Sequence, residues 1–194
     1  SHFQCAVDRF DMEGWPWLGW IRRHAPQIVE IVSFNYDLIL ETALEKPGLI
    51  SHRVGVAKTA NGVPIFKPHG SVDYELATGL IATQPGYPLK IIAVRNNGPL
   101  RQLTRDNLLK PRVEVDIVLP NETSPYLDFQ WVRPGYYRFR RIGPTLTSCV
   151  MVGLSYSKCD RPEIDFLIDS FATNGEAALA IRIRPLTYAG NFVP

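Results

Sequence analysis

Ile28-Val29-Glu30-Ile31-Val32-Ser33-Phe34-Asn35-Tyr36-Asp37-Leu38-Ile39-Leu40-Glu41-Thr42-Ala43-Leu44 is the stretch that decides the fold. Residues 28–34 are β-branched and aromatic, and the run is too short for an ordinary helix, so it reads as a strand. Residues 38–44 read as a helix that Pro47-Gly48 brings to a stop. Between the two sit an amide and a carboxylate, Asn35 and Asp37, at the point where strand gives way to helix.

Outward from this stretch the same grammar returns. Val63–Phe66 reads as a second strand, ending at Lys67-Pro68-His69-Gly70-Ser71. Ser148–Val152 reads as a third, opening onto Gly153-Leu154-Ser155-Tyr156-Ser157. The helix after it has a clear start: Asp160 can cap, Pro162 suits the first turn, and Glu163 stands where a capping box needs it. Ile164, Leu167, Ile168 and Phe171 then keep the spacing of one buried helical face. Residues 177–183 look like a last strand. Residues 76–125 are rich in Gly, Pro and Asn and read as an irregular insertion, with short strands at 90–94 and 113–119. Near the N-terminus, the Pro and Gly of Trp15-Pro16-Trp17-Leu18-Gly19-Trp20 argue against one continuous helix, and the aromatic cluster is expected to pack on a core.

Strand, polar loop and helix recurring in this order predict an α/β fold, a Rossmann-like parallel sheet with helices on both faces. Ligands of such sheets bind at the carboxyl ends of the strands, where all three polar clusters fall. The chain length of 194 residues suits a single domain. A hydrophobic fraction of 45% and a charged fraction of 21% match an ordinary globular protein. The net charge of +2 gives no strong electrostatic reason for a polyanionic partner. Cys5, Cys149 and Cys159 form no CxxC pair, which points away from a four-thiolate zinc site and towards reduced cysteines. No apolar run approaches the roughly 20 residues of a membrane span. No secretory signal accompanies the sequon Asn121-Glu122-Thr123, so a cytoplasmic location without membrane attachment is expected.

Asn35 offers a donor and an acceptor, enough to fix a ribose hydroxyl or a water. Asp37 can accept from a carboxamide. Asp is also a favoured helix cap, and local chemistry alone favours the cap for Asp37 while leaving Asn35 balanced. Histidine is a residue type suited to proton transfer, so His69 is a candidate base beside Gly70, although spacing alone fits a hydrogen-bonded loop histidine better. Backbone amides around Gly153, Ser155 and Ser157 could meet a phosphate, and a plain strand-to-helix loop explains them nearly as well. Arg138-Phe139-Arg140-Arg141, with Tyr136 and Tyr137, interleaves basic and aromatic residues, but a solvated basic face is favoured over a nucleic-acid surface. The chain contains no GxGxxG, GxSxG or Walker A motif.

Taken in order, these clusters resemble the sirtuin-like NAD-hydrolase domains, relatives of the sirtuin protein deacylases. The matching segments are Ile31-Val32-Ser33-Phe34-Asn35-Tyr36-Asp37-Leu38-Ile39-Leu40-Glu41, Phe66-Lys67-Pro68-His69-Gly70-Ser71 and Val152-Gly153-Leu154-Ser155-Tyr156-Ser157, the last continued by Asp160. Ile117-Val118-Leu119-Pro120 and Tyr126-Leu127-Asp128-Phe129-Gln130-Trp131 look like the family's hydrophobic-proline strand end and the tryptophan segment after it. The resemblance covers about residues 28–171. It implies an NAD glycohydrolase releasing nicotinamide and ADP-ribose. Asn35 would orient a water and the nicotinamide ribose, Asp37 would hold the carboxamide, and His69 would be the general base with Gly70 giving the ligand room. Gly153 and Ser155, with Ser157 more loosely, would contact the adenosine half. No zinc is expected, and further domains or a homo-oligomer are the implied partners.

Two departures shape the alternatives. The family's Gly-rich pyrophosphate loop precedes Asn-x-Asp by many tens of residues, whereas 34 residues precede Asn35 here and none match it. Either the chain is a fragment or the first β-α unit is missing. Ile181-Arg182-Ile183-Arg184-Pro185 also replaces the usual polar adenine-contacting strand end. A non-catalytic sensor of NAD or ADP-ribose is therefore the alternative, and a structural or nucleic-acid-associated domain is a third reading.

Overall fold

The computed structural model describes residues 11–56, 61–76, 100–108, 129, 131–153, 158, 160–172 and 178–182. These form two compact units, the first running to Gly135 and the second starting at Tyr136. The expected strands at 90–94 and 113–119, the 117–120 segment, Ser155, Ser157 and residues 183–185 lie outside the described residues.

In the first unit, helices α1 (Pro16–His24) and α2 (Ile39–Glu45) accompany a three-stranded parallel sheet of β1 (Ile31–Val32), β2 (Ser51–Arg53) and β3 (Val63–Phe66). The spatial order is β1-β3-β2, with Ile31 opposite Ile65 and Arg53 also opposite Ile65 on the other side. This is an α/β arrangement, as the periodicity predicts. β3 is central and all four of its residues are buried.

The strand read at 28–34 pairs only over Ile31–Val32. Pro64 accounts for the late start. Val63 N–H donates to Ile50 O on the β2 side, while Phe66 O accepts from Ser33 N–H on the β1 side. Alternation along β3 therefore turns the nitrogen of Pro64 towards β1, where it has no hydrogen to give. The ladder begins just beyond it.

One expectation is overturned. Trp15-Pro16-Trp17-Leu18-Gly19-Trp20 does not break a helix, because α1 is continuous through Gly19. Pro16 occupies the first turn, where a helix leaves its amides unpaired anyway. Gly19 costs about 1 kcal/mol relative to alanine, which burial of Leu18 and Ile21 offsets. Those two residues join Met12, Ala43, Leu44 and Ile65 in the core, with Trp15 and Trp20 packed against it as the aromatic composition suggests. α2 ends in a Schellman pair: Leu49 N–H reaches Leu44 O at 3.0 Å and Gly48 N–H reaches Glu45 O at 2.9 Å. Gly48 takes φ +79°, and the apolar Leu49 packs back on the same core.

Within the stretch read as an irregular insertion, β5 (Leu100–Gln102) pairs antiparallel with β4 (Tyr74–Leu76), and a short helix α3 (Arg105–Leu108) follows. Helix α4 (Val132–Ile142) begins in the first unit, where Gly135 lies so close to Phe66 that a Cβ there would meet the ring at 2.1 Å. In the second unit, β6 (Ser148–Val152), α5 (Arg161–Ala172) and β7 (Ala178–Arg182) form a βαβ crossover with parallel strands. Of the face expected to be buried, Ile164, Leu167 and Phe171 are buried and Ile168 is half-buried. The amides of Glu163 and Ile164 donate to Asp160 O at 3.1 and 3.0 Å, so the helix starts where the sequence signals it.

Candidate functional site

Because β1 and β3 run parallel and adjacent, the loops leaving their carboxyl ends emerge side by side. They are also bonded to one another. Val72 N–H donates to Tyr36 O at 3.0 Å, and the Ser71 hydroxyl donates to the same oxygen at 3.4 Å. The Lys67 ammonium donates to the main-chain oxygen of Asp37. Between these anchors the His69 ring meets Phe34 edge-on, with centroids 5.1 Å apart, and lies 6.4 Å from Tyr36. Asn35, the residue between those two aromatics, is exposed. His69 itself is only 6% exposed.

Backbone conformation explains the glycine next to it. Gly70 N–H closes a turn onto Lys67 O at 3.0 Å, and Gly70 adopts φ +84°, which favours a residue without a Cβ. Asp37 does act locally on the helix: its Oδ1 accepts from Ile39 N–H at 3.0 Å. Asp37 therefore supports the helix start from one position before the cap residue Leu38, which makes no side-chain cap bond, and its second carboxylate oxygen is not part of the bond to Ile39.

Beneath the two loops lies a layer of buried charge that the sequence reading missed. Glu41 on α2, Arg53 on β2, Lys67 after β3 and Asp73 before β4 are all buried. Glu41 Oε1 stands 3.0 Å from Lys67 Nζ and 3.1 Å from Arg53 Nη2, and Arg53 Nη2 continues to Asp73 Oδ2 at 3.2 Å. Gln102 Nε2 reaches that oxygen too, at 3.0 Å. Two acids and two bases cancel formally, which lets the interior hold them. Removing one member of such a set costs about 3–5 kcal/mol, because the remaining charge is left buried and uncompensated. Burial by itself lowers the pKa of the Arg53 guanidinium, but Glu41 and Asp73 more than reverse this and hold it above its ordinary value. Burial pushes the Tyr74 phenol far up, Arg53 draws it partly back, and Asp73 and Glu41 add to the rise. The Tyr74 hydroxyl has no hydrogen-bond partner among the described residues.

Trp131 closes the far side of this layer. Its ring stacks on Phe129 with centroids 4.7 Å apart, meets Tyr74 edge-on at 5.8 Å, and its Nε1 donates to Pro68 O at 3.1 Å. Gly55, at φ +81°, allows the approach, since a Cβ there would lie 2.7 Å from the Trp131 backbone.

Of the residues the sequence singled out, Asn35 and Asp37 lie on the loop after β1 and His69 and Gly70 on the loop after β3, and the two loops are bonded to one another through Tyr36, Asp37, Lys67, Ser71 and Val72. Gly153 follows β6 in the second unit, exposed and at φ +63°. Ser155 and Ser157 fall outside the described residues. The one sequence signal for the missed layer was Lys67 itself, a lysine between a wholly apolar strand and Pro-His-Gly. Among the described residues no group of three or more His, Cys, Asp or Glu is placed to hold a metal ion, and no helix is long and apolar enough to cross a membrane. No protein-family model and no curated protein matches the chain.

Proposed function

We propose that this chain is a Rossmann-like, sirtuin-type domain that cleaves NAD to nicotinamide and ADP-ribose at the edge formed by the β1 and β3 loops. The observation that supports the reading is the parallel pairing of Ile31–Val32 with Ile65–Phe66, from which the loops carrying Asn35 and Asp37 and carrying His69 and Gly70 both leave at the strands' carboxyl ends. The motif resemblance supplies the chemistry.

Loss of nicotinamide expels a neutral leaving group and leaves an oxocarbenium-like ribose, so positioning and aimed dipoles matter more than strong acid. In this reading Asp37 holds the carboxamide through the oxygen not bonded to Ile39. Asn35 orients the ribose and the attacking water. The water adds at the anomeric carbon as the bond to nicotinamide breaks, and His69 takes its proton. Gly70 leaves space for the sugar.

A second reading, a sensor of NAD or ADP-ribose without turnover, draws on the burial of His69, which limits how a ligand hydroxyl reaches the imidazole. One experiment separates the two. The full chain is incubated with NAD, nicotinamide release is followed by chromatography, and binding is measured by calorimetry. Release that disappears in Asn35→Ala and in His69→Ala is expected for the hydrolase. Binding without release selects the sensor, and neither binding nor release overturns both.

A further inference from the structure

We infer that Lys67 is a positioning residue whose buried ammonium sets the spacing of the loops that carry Asn35, Asp37 and His69. The inference rests on the hydrolytic reading for its consequence in turnover, but its structural content stands apart from it.

A lysine normally leads its charge back to water. Lys67 is 0% exposed, and its ammonium has three hydrogens to place. Two of its contacts are hydrogen bonds, to the Asp37 carbonyl in the loop after β1 and to the Ser71 hydroxyl at 3.3 Å in the loop that holds His69, and the third is an ion pair with Glu41 Oε1 on α2 at 3.0 Å. The hydroxyl of Ser71 passes the connection on to Tyr36 O. Glu41 is fixed in turn by Arg53, and Arg53 by Asp73. One cation therefore ties together both candidate loops and the helix between them, while the rest of the charge set holds that cation in place.

Stability alone does not require this design. Apolar side chains of similar volume often replace a buried ion pair without loss. What no apolar side chain can do is donate to the Asp37 carbonyl, and that difference gives the test.

Lys67→Met leaves Glu41, Arg53 and Asp73 with an excess negative charge. The Lys67→Met/Glu41→Gln double variant restores neutrality without restoring the donor. Melting temperature, kcat and KM for NAD are measured in the full chain. Lys67→Met is expected to melt about 10 °C lower, with most of that recovered in the double variant. The turnover number is expected to stay down by about 100-fold in both, the scale of a small misplacement of reacting groups. Recovery of kcat together with melting temperature in the double variant overturns the proposal.

Amide hydrogen exchange gives a readout independent of NAD. Exchange at Val72, whose N–H bonds Tyr36 O, is expected to be at least about tenfold faster in the double variant than in the parent. Unchanged protection overturns the positioning role even if the parent chain releases no nicotinamide, an outcome that by itself counts only against the hydrolase. If the lysine variants do not fold, Ser71→Ala keeps all four charges and removes one link. Faster Val72 exchange is expected there too, and parental exchange overturns the proposal.

Discussion

The indole nitrogen of Trp131 donates to the carbonyl oxygen of Pro68 at 3.1 Å, fixing the backbone one residue before His69 from a distant part of the chain. Both partners are buried. Trp131→Phe keeps an aromatic ring against Tyr74 and Phe129 but removes the donor. Losing one partner of a buried hydrogen bond costs about 1–3 kcal/mol. Urea unfolding should show a loss of that size, and nicotinamide release should fall more than stability alone explains. Turnover equal to the parent's in a folded Trp131→Phe chain would show that Pro68 needs no such anchor.

Tyr74 yields a prediction about pH. Its hydroxyl is buried without a hydrogen-bond partner among the described residues, and burial raises its pKa above the ordinary phenol value near 10. The sign follows from proton counting. Above pH ~10 the unfolded chain releases a phenolic proton that the folded chain keeps, so stability is intact below that pH and falls as pH rises beyond it. Tyr74→Phe removes both the unsatisfied hydroxyl and the titration. It should be as stable as the parent at pH 7, or up to about 1 kcal/mol more so. Its advantage should widen above pH 10. Thermal melts at pH 7 and pH 10.5 check this, and an equal alkaline loss in both chains would rule Tyr74 out as its source.

What the sequence made legible follows a physical division. β3 and α5 were readable because local pattern and burial agree there, in four buried apolar residues and an amphipathic helix, and β6 was readable from its residue types and the glycine after it although none of its five residues is buried. Candidate loops were readable because polar residues at strand ends are conspicuous. α1 was misread because Pro16 and Gly19 break helices in most positions but not in these. The buried set was illegible for a different reason. Glu41, Arg53 and Asp73 each look like ordinary surface charges, Lys67 alone stands out after an apolar strand, and only the folded arrangement brings the four together. Nothing in linear spacing encodes a pairing between residue 41 and residue 67.

Two glycines with different constraints should respond differently to alanine. At Gly135 a new Cβ would fall 2.1 Å from the Phe66 ring, in a position where both elements are packed. Overpacking of this kind costs about 1–3 kcal/mol, and it would push on the strand that leads into Lys67 and His69. At Gly48 nothing stands within 4 Å of a built Cβ, but φ is +79°. The cost there is the left-handed backbone, about 1–2 kcal/mol, without any displacement of the site. Both variants should melt lower than the parent, and only Gly135→Ala should also lose turnover. A loss of turnover at Gly48→Ala matching its loss at Gly135→Ala would sever the link between Phe66 packing and the site.

Asp37 carries two roles that substitution can separate. One oxygen accepts from Ile39 N–H and starts α2, while the reading proposed here gives the other to the nicotinamide carboxamide. Asparagine keeps an acceptor for Ile39, so Asp37→Asn should melt within about 0.5 kcal/mol of the parent. Its amide presents a donor, or a weaker neutral acceptor, where the carboxylate presents a charged one, and charge-assisted hydrogen bonds are roughly twice as strong as neutral ones. KM for NAD should therefore rise by about tenfold while the helix stays intact. Asp37→Ala removes the bond to the first helical amide as well, and should lose about 1 kcal/mol of stability in addition to the weakened binding. If Asp37→Asn binds and cleaves NAD as the parent does, while Asp37→Ala loses only stability, then the carboxylate supports the start of the helix and nothing more.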